Sequence, residues 1–292
     1  MRMVAAAKIN LGLKVLNRRP DGYHNLESVM QQVSLADYLT FERVSSPGWQ
    51  FKSTVPRLGG EDNLVCRAAR FLAKRVGASP PGVKITLYKN IPSGAGLGGG
   101  SSDAAATLRG LNIFWRLGLS SRELAELGAS LGSDIPFFLH GGGTAFARGR
   151  GELISPLPPL PLFWVVLAKP SRLSISTASV YGGLEEKMSP VLSPNILREA
   201  ILKADREAIL NWLGTGAINS LQSSVLTCYP RLGRLRRRMG ELGLKAAMSG
   251  SGPTFFALSN SYSLARQAAQ ILQAEGYRAI LCWTVQRTVT DR

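Results

Sequence analysis

The stretch "IPSGAGLGGGSSDAA", residues 91–105, holds five of the chain's 31 glycines within Gly94 to Gly100. Ordered glycine costs about 0.5–1 kcal/mol relative to alanine inside a regular element, so this segment must need backbone freedom. Upstream, "GVKITLYKNI" alternates apolar and polar residues as a strand does. Downstream, "SSDAAATLRGLNIFWRLG" reads as a helix, with serines suited to capping and three consecutive alanines. A strand, a curled glycine backbone and a helix start bring several N–H groups and about half a positive charge to one place, which is how a phosphate is held. The expected cradle is Pro92, Ser93, Gly94, Ala95, Gly96, Leu97, Gly98, Gly99 and Gly100. Ser101 and Ser102 can add hydroxyls to a phosphate, or to a Mg²⁺ carried on it. The alternative is a tight strand–helix turn with no ligand.

Several familiar phosphate loops do not fit. Gly94, Gly96 and Gly99 satisfy GxGxxG, but the acids about 20 positions on, Glu123 and Glu126, fall on a helix instead of a strand end. A Walker loop needs a lysine, and none occurs between Gly94 and Asp103. Neither His24 nor His140 lies in the HRD of protein kinases.

A chain of 292 residues is expected to form about two domains. The proline-rich "SPLPPLPL" (155–162) marks the boundary, giving domains 1–155 and 156–292. In the first, Lys8, Asn10, Gly12 and Lys14 share one face of a strand, with Ile9, Leu11, Leu13 and Val15 on a single buried face. Two strands, "SVMQQVSL" and "YLTFERV", follow, then a helix over 63–76. In the second, "LKAAMSGSGPTFFALS" reads as one strand broken at Gly-Ser-Gly-Pro, and "RAILCWTVQRT" as the last strand. Helices and strands mix without a βαβ beat, so the fold class is α+β.

Composition narrows the partners. Hydrophobic content of 45% and charged content of 18% suit an ordered globular protein. The apolar stretch over 157–168 is too short and proline-rich to span a bilayer. Lys8 interrupts the N-terminal apolar run too early for a signal peptide, and three scattered cysteines suit a reducing cytoplasm. With two histidines, a zinc site is not expected. The net charge of +16 favours an anionic partner. The basic helix "RLGRLRRRMGELG" could serve nucleic acid, but it lacks an aromatic stacking platform. We expect a small anionic substrate, no nucleic acid, no membrane, and a monomer or homodimer.

With these motifs in place, the chain resembles the GHMP kinases, whose ATP loop reads Pro-x₃-Gly-Leu-Gly-Ser/Gly-Ser-Ser. "AKINLGL" near the N-terminus and "MSGSGPTFFAL" (248–258) match two further motifs of that superfamily in order. "RRPDGYHNL" is similar to the branch that phosphorylates a cytidine-diphosphate-linked methylerythritol on the non-mevalonate route to isoprenoid precursors. A homoserine or mevalonate kinase type is the alternative within the superfamily. The resemblance implies a two-domain fold with the active site in the interdomain cleft, and ATP with Mg²⁺ as cofactors. It implies Lys8 and Asp134 as catalytic residues, with Asp134 the base that takes the hydroxyl proton, while Asp134 by itself also reads as a helix cap. Asn63, Leu64 and Lys89 match positions near the adenine. Asn10, Tyr23, His24, Tyr181, Gly250 and Ser251 match the substrate side, with the tyrosines stacking a pyrimidine and His24 reading its edge. One segment departs from the family pattern: "INSLQSSV" keeps Asn219 where the family reads Asn-Asp-x-Glu, but has Ser220 and Gln222 in place of the acids.

Overall fold

The structure is a computed structural model that describes residues 1–76, 80–140, 142–182, 191–216 and 218–286. Ten strands occur among them: β1 (Arg2–Arg18), β2 (His24–Arg43), β3 (Trp49–Ser53), β4 (Val83–Tyr88), β5 (Thr144–Arg148), β6 (Leu153–Pro156), β7 (Trp164–Pro170), β8 (Ala246–Met248), β9 (Phe255–Ser259) and β10 (Tyr277–Trp283). The helices that position the site are α1 (Leu64–Val76), α2 (Gly99–Phe114), α3 (Ser121–Leu131) and α4 (Ile135–Leu139), and later α5 (Thr177–Gly182).

β1 and β2 form a long antiparallel hairpin. Its turn is set by Pro-Asp-Gly: Gly22 sits at φ +83°, and the Asp21 carboxylate accepts the Tyr23 N–H at 3.1 Å. β2 is a single strand of 20 residues, not the two shorter ones expected from the sequence. The polar residue at the expected break, Asp37, stays within the strand because it is buried and satisfied there, its carboxylate accepting the Asn90 and Ile91 N–H groups. One edge of β2 pairs with β1; the other is shared, residues 38–43 pairing with β4 and 28–31 with β5. β3 lies parallel to β4, as the intervening helix α1 requires.

The second sheet runs β10-β7-β9-β8, antiparallel throughout. Just after β10, Thr284 bridges Val33 and the Val285 N–H donates to the Gln32 carbonyl at 3.0 Å. The second sheet's edge thus reaches into the gap on β2 between its β4 and β5 partners. The strand expected to break at Gly-Ser-Gly-Pro folds back there, so that β8 and β9 are the two arms of a hairpin closed by a 2.9 Å bond from Ser249 N–H to Thr254 O.

Three apolar clusters follow. The first joins Leu39, Phe41 and Ile85 of the large sheet to Leu72, Leu108 and Phe137 of the helices over it. The second, with Ile9, Leu11, Leu97, Phe163, Trp212 and Phe256, fills the space between the two sheets. The third packs the outer face of the small sheet through Val166, Phe255, Leu235 and Leu272. Each such side chain contributes about 1.5–3 kcal/mol on full burial. Residues 7–13 of β1 are buried on both faces, with Ala7, Ile9 and Leu11 in the second cluster. The expectation of one exposed face was wrong: the glycine loop at Gly98, the Phe138 ring and the Gly250 turn cover the polar side, leaving Lys8 4% and Asn10 3% exposed.

Candidate functional site

The glycine loop carries α2 into a cleft of about 1000 Å³ between the two sheets. That is the upper end of the roughly 300–1,000 Å³ range for single-ligand sites, and leaves room for two substrates end to end. Serines do not cap α2. Its N-cap is Gly98 at φ +67°, with no side-chain cap bond. The reason is steric: a β-carbon on Gly98 would lie 2.8 Å from Lys8 Cγ and 3.1 Å from the Phe138 ring. Ser101 lines the cleft, whereas Ser102 is buried on the other side of the helix beside Gln32 and Phe138. Consecutive helical residues point about 100° apart, which turns Ser101 toward the cleft and Ser102 away from it.

A second glycine turn meets the first. A β-carbon on Gly96 would lie 2.9 Å from the Gly252 carbonyl oxygen, so the loops interdigitate without side chains between them. Gly250 lies against the catalytic candidates: a β-carbon there would be 3.3 Å from Asn10 Oδ1 and 3.4 Å from Lys8 Nζ. Gly250 and Ser251 both line the cleft, and Ser251 shares a 2.9 Å hydroxyl contact with Thr177 of α5.

At the centre, Lys8 Nζ donates to Asn10 Oδ1 at 2.6 Å and lies 3.4 Å from the Asp134 carboxylate. Burying the ammonium would be costly without these partners. Asn10 is fixed in turn, its amide donating to Ser28 Oγ at 2.9 Å, and Ser28 donating to the Gly12 carbonyl at 2.7 Å. Both polar atoms of the Asn10 side chain are therefore engaged inside the protein, and it acts on Lys8. Asp134 stands at the N-cap position of α4 but makes no cap bond. The capping role it could have had is unfilled, and its carboxylate, 31% exposed, faces the cleft.

At one end of the cleft, Tyr23 and His24 project from the β1–β2 turn, with Tyr181 of α5 opposite. The His24 and Tyr181 rings are 5.7 Å apart and tilted by 37°. Burial, with nearby Arg18 adding, lowers the His24 ring from the ordinary histidine value, which favours its neutral form. Burial also raises the Tyr181 phenol, keeping it protonated as a donor. Arg150 was not singled out from the sequence. It lines the cleft with its guanidinium 4.8 Å from the Tyr23 ring centre, held by Gly149 and Gly151 at positive φ on either side. A cation flanked by glycines in "RGRGE" was the signal available.

At the other end, Asn63 and Leu64 line the cleft where α1 begins, and the Asn63 carboxamide caps that helix by accepting the Val65 N–H at 2.9 Å. Lys89 lines this end too, but its ammonium is taken by two carboxylates, pairing with Asp37 and, at 2.7 Å, with Asp103. Burial, with Asp37 adding and Lys89 opposing, pushes the Asp103 carboxyl up to about 8. Neither carboxylate was foreseen. Of the residues expected at the site, Ser102 alone does not line the cleft.

The departing segment has a clear place. Asn219 donates to the carbonyls of Met248 and Gly250 at 2.8 and 2.9 Å, while Gln222 accepts the Met248 N–H at 3.0 Å. Ser220 accepts the Val15 N–H at 3.0 Å. Neutral groups at the two positions suffice to tie β1 to the glycine hairpin.

Comparison with known proteins agrees with this geometry. The family model for the GHMP kinases N terminal domain matches residues 63–142, and that for GHMP kinases C terminal matches 197–278. A 4-diphosphocytidyl-2-C-methyl-D-erythritol kinase from Moorella thermoacetica is 46% identical over 278 residues, 94% of this chain and 95% of that one. A kinase of the same name from Listeria monocytogenes is 46% identical, covering 91% of this chain and 89% of its own. A crystal structure of 4-(cytidine 5'-diphospho)-2C-methyl-D-erythritol kinase matches with a TM-score of 0.80 at 40% identity, over 97% of this chain and 99% of that one. A homoserine kinase from Cytophaga hutchinsonii, at 18% identity and a TM-score of 0.73, shares the fold.

Proposed function

The chain belongs to the GHMP kinases, and we propose that it phosphorylates 4-diphosphocytidyl-2-C-methyl-D-erythritol with ATP. The product is the 2-phosphate of that alcohol, and the step belongs to non-mevalonate isoprenoid precursor synthesis. The observation that carries the reading is the Lys8–Asp134 pair, 3.4 Å apart, standing between a glycine phosphate cradle and a Tyr–His turn in one cleft.

The chemistry follows from the placement. Asp134, open to the cleft, accepts the proton of the attacking hydroxyl. Lys8, held by Asn10, keeps that carboxylate charged and stabilises the charge that develops on the transferred group. Backbone N–H groups of residues 94–100 and the start of α2 hold the phosphates in line. Among the described residues no group of three or more His, Cys, Asp or Glu could hold a metal by itself. Mg²⁺ would enter with the nucleotide and neutralise phosphate charge, and the Ser101 hydroxyl, which lines the cleft, would be a protein donor to it. We read the chain as two domains meeting near Pro156, so that Lys8, the loop and Asp134 come from the first and Gly250 and Ser251 from the second. The cytoplasm is the compartment this reading implies, and no helix among the described residues is long and apolar enough to cross a membrane.

Substrate choice falls to the aromatic end. A pyrimidine can stack on Tyr23 or Tyr181, worth about 1–3 kcal/mol per base. Neutral His24 presents one donor and one acceptor nitrogen, which suits the mixed edge of cytosine. The test uses two substrates that differ only in cytosine or uracil, with the wild type and His24→Ala. The wild type should prefer the cytidine compound by at least about tenfold, and the variant should lose most of that preference. Equal use of both by the wild type would sink the cytidine assignment.

A further inference from the structure

The buried trio of Asp37, Lys89 and Asp103 behind the glycine loop takes no part in the transfer just described, yet it touches both ends of that loop. Asp37 is fully buried on β2, and Lys89 and Asp103 nearly so. Removing ionised carboxylates from water costs several kcal/mol unless they are paired and hydrogen-bonded. Asp37 uses both oxygens. Oδ1 accepts the N–H groups of Asn90 and Ile91, at 2.5 and 2.8 Å, and Oδ2 accepts from the Lys89 ammonium. The Asn90 side chain adds a 2.9 Å bond to the Ala36 carbonyl. Residues 90–91 are the backbone that enters the glycine loop. Asp103 lies in the first turns of α2, where the loop ends, and Lys89 reaches it at 2.7 Å. The Lys89 ammonium also lies 3.0 Å from where a β-carbon on Gly99 would be. Five of the nine residues 92–100 between are glycine, so the loop's own side chains do little to fix its path. A phosphate cradle works only when its donors are held to within a fraction of an ångström.

We propose that Asp37 is a positioning residue of the nucleotide subsite, which holds the loop's entry through Asn90 and Ile91 and its exit through Lys89 and Asp103. The proposal rests on the kinase reading above. Lys89 then serves the nucleotide indirectly, as part of this clamp. A merely structural ion cluster would affect both substrates alike; a clamp on one loop affects the nucleotide alone.

The experiment is calorimetric titration of a non-hydrolysable ATP analogue and of the diphosphocytidyl alcohol. It compares the wild type, Asp37→Asn, Lys89→Met and the double variant. In each single variant the analogue's Kd should rise at least fivefold while the alcohol's stays within twofold. The double variant should be no more than twofold worse than the worse single one, because the two residues act as a unit. A smaller nucleotide effect, equal weakening of both ligands, or simple addition in the double variant would each overturn the proposal. Should Asp37→Asn fail to fold, Lys89→Met decides by the same ratio, since it leaves Asp37's bonds to the two amides in place. A wild type that bound no nucleotide would overturn the kinase reading and the clamp with it, whereas binding that the variants leave unchanged overturns the clamp alone.

Discussion

The Ser249 hydroxyl donates to the Gly96 carbonyl oxygen across 2.9 Å, and a β-carbon on Gly96 would collide with the Ser249 carbonyl oxygen. Gly96 also sits at φ +72°, which costs a residue with a side chain about 1–3 kcal/mol. Gly96→Ala should therefore push the two glycine turns apart. We expect kcat/KM to fall at least 100-fold, with a stability loss of about 1–3 kcal/mol by urea unfolding. Gly100→Ala is the control: it lies in the helix, with Leu64 Cδ1 at 3.4 Å as its nearest neighbour, and should be neutral or stabilising by about 0.5–1 kcal/mol. Equal destabilisation by both would argue against the apposition.

Asp134→Asn keeps the shape of the side chain and removes the base. We expect kcat to drop by about 10²–10⁴, the ordinary range for losing a general base, with the nucleotide's KM within threefold. Steady-state kinetics over both substrates checks it, and a kcat within threefold of the wild type would take Asp134 out of the mechanism.

Asn219 holds two buried carbonyls, those of Met248 and Gly250. Asn219→Leu leaves both without a donor, and an unsatisfied buried group costs about 1–3 kcal/mol. The variant should lose about 2–4 kcal/mol of stability, read from urea unfolding. Asn219→Asp, which keeps only an acceptor there, should rescue none of it.

Asp103 sets a pH trend. Its native carboxyl is held up to about 8, against an ordinary value near 4 in the unfolded chain. Between those values the native state keeps a proton that the unfolded state has lost. Its contribution is therefore largest at low pH and declines as pH rises toward 8, by on the order of 1 kcal/mol per pH unit at most. Urea midpoints at pH 5.5, 6.5 and 7.5 should fall for the wild type and change less for Asp103→Asn. Parallel trends for the two proteins would remove Asp103 as the source.

What could be read in advance was what is local. A run such as residues 94–100 announces a cradle because its glycines, the strand before it and the helix after it are consecutive. Lys8 and Asn10 were placed on one face by the twofold repeat of a strand. The burial of that face was not legible, because it is imposed by Gly98, Phe138 and Gly250, which lie far along the chain from Lys8. Asp37 and Lys89 stand 52 positions apart and pair through β-sheet geometry that no local pattern encodes. Ser101 and Ser102 look equivalent as letters, and only the turn of α2 separates the one that faces the cleft from the one that does not. Gly98 displaced the serines as the cap because Lys8 and Phe138, distant in sequence, occupy the space a side chain would need.

The bridge between Val33 and Thr284 and the bond from Gln31 to the Val285 carbonyl join residues some 250 positions apart. Asn10 and Ser249 meet across 239. On a ribosome the chain is threaded out from Met1, so the β1–β2 hairpin and its lysine exist long before the segments that wall the cleft. Until residues near 250 have emerged, Lys8 has no Gly250 beside it and the cradle has no opposing turn. The newborn chain can therefore neither hold a nucleotide in place nor spend one. Its chemistry switches on only after the residues near 250 have emerged.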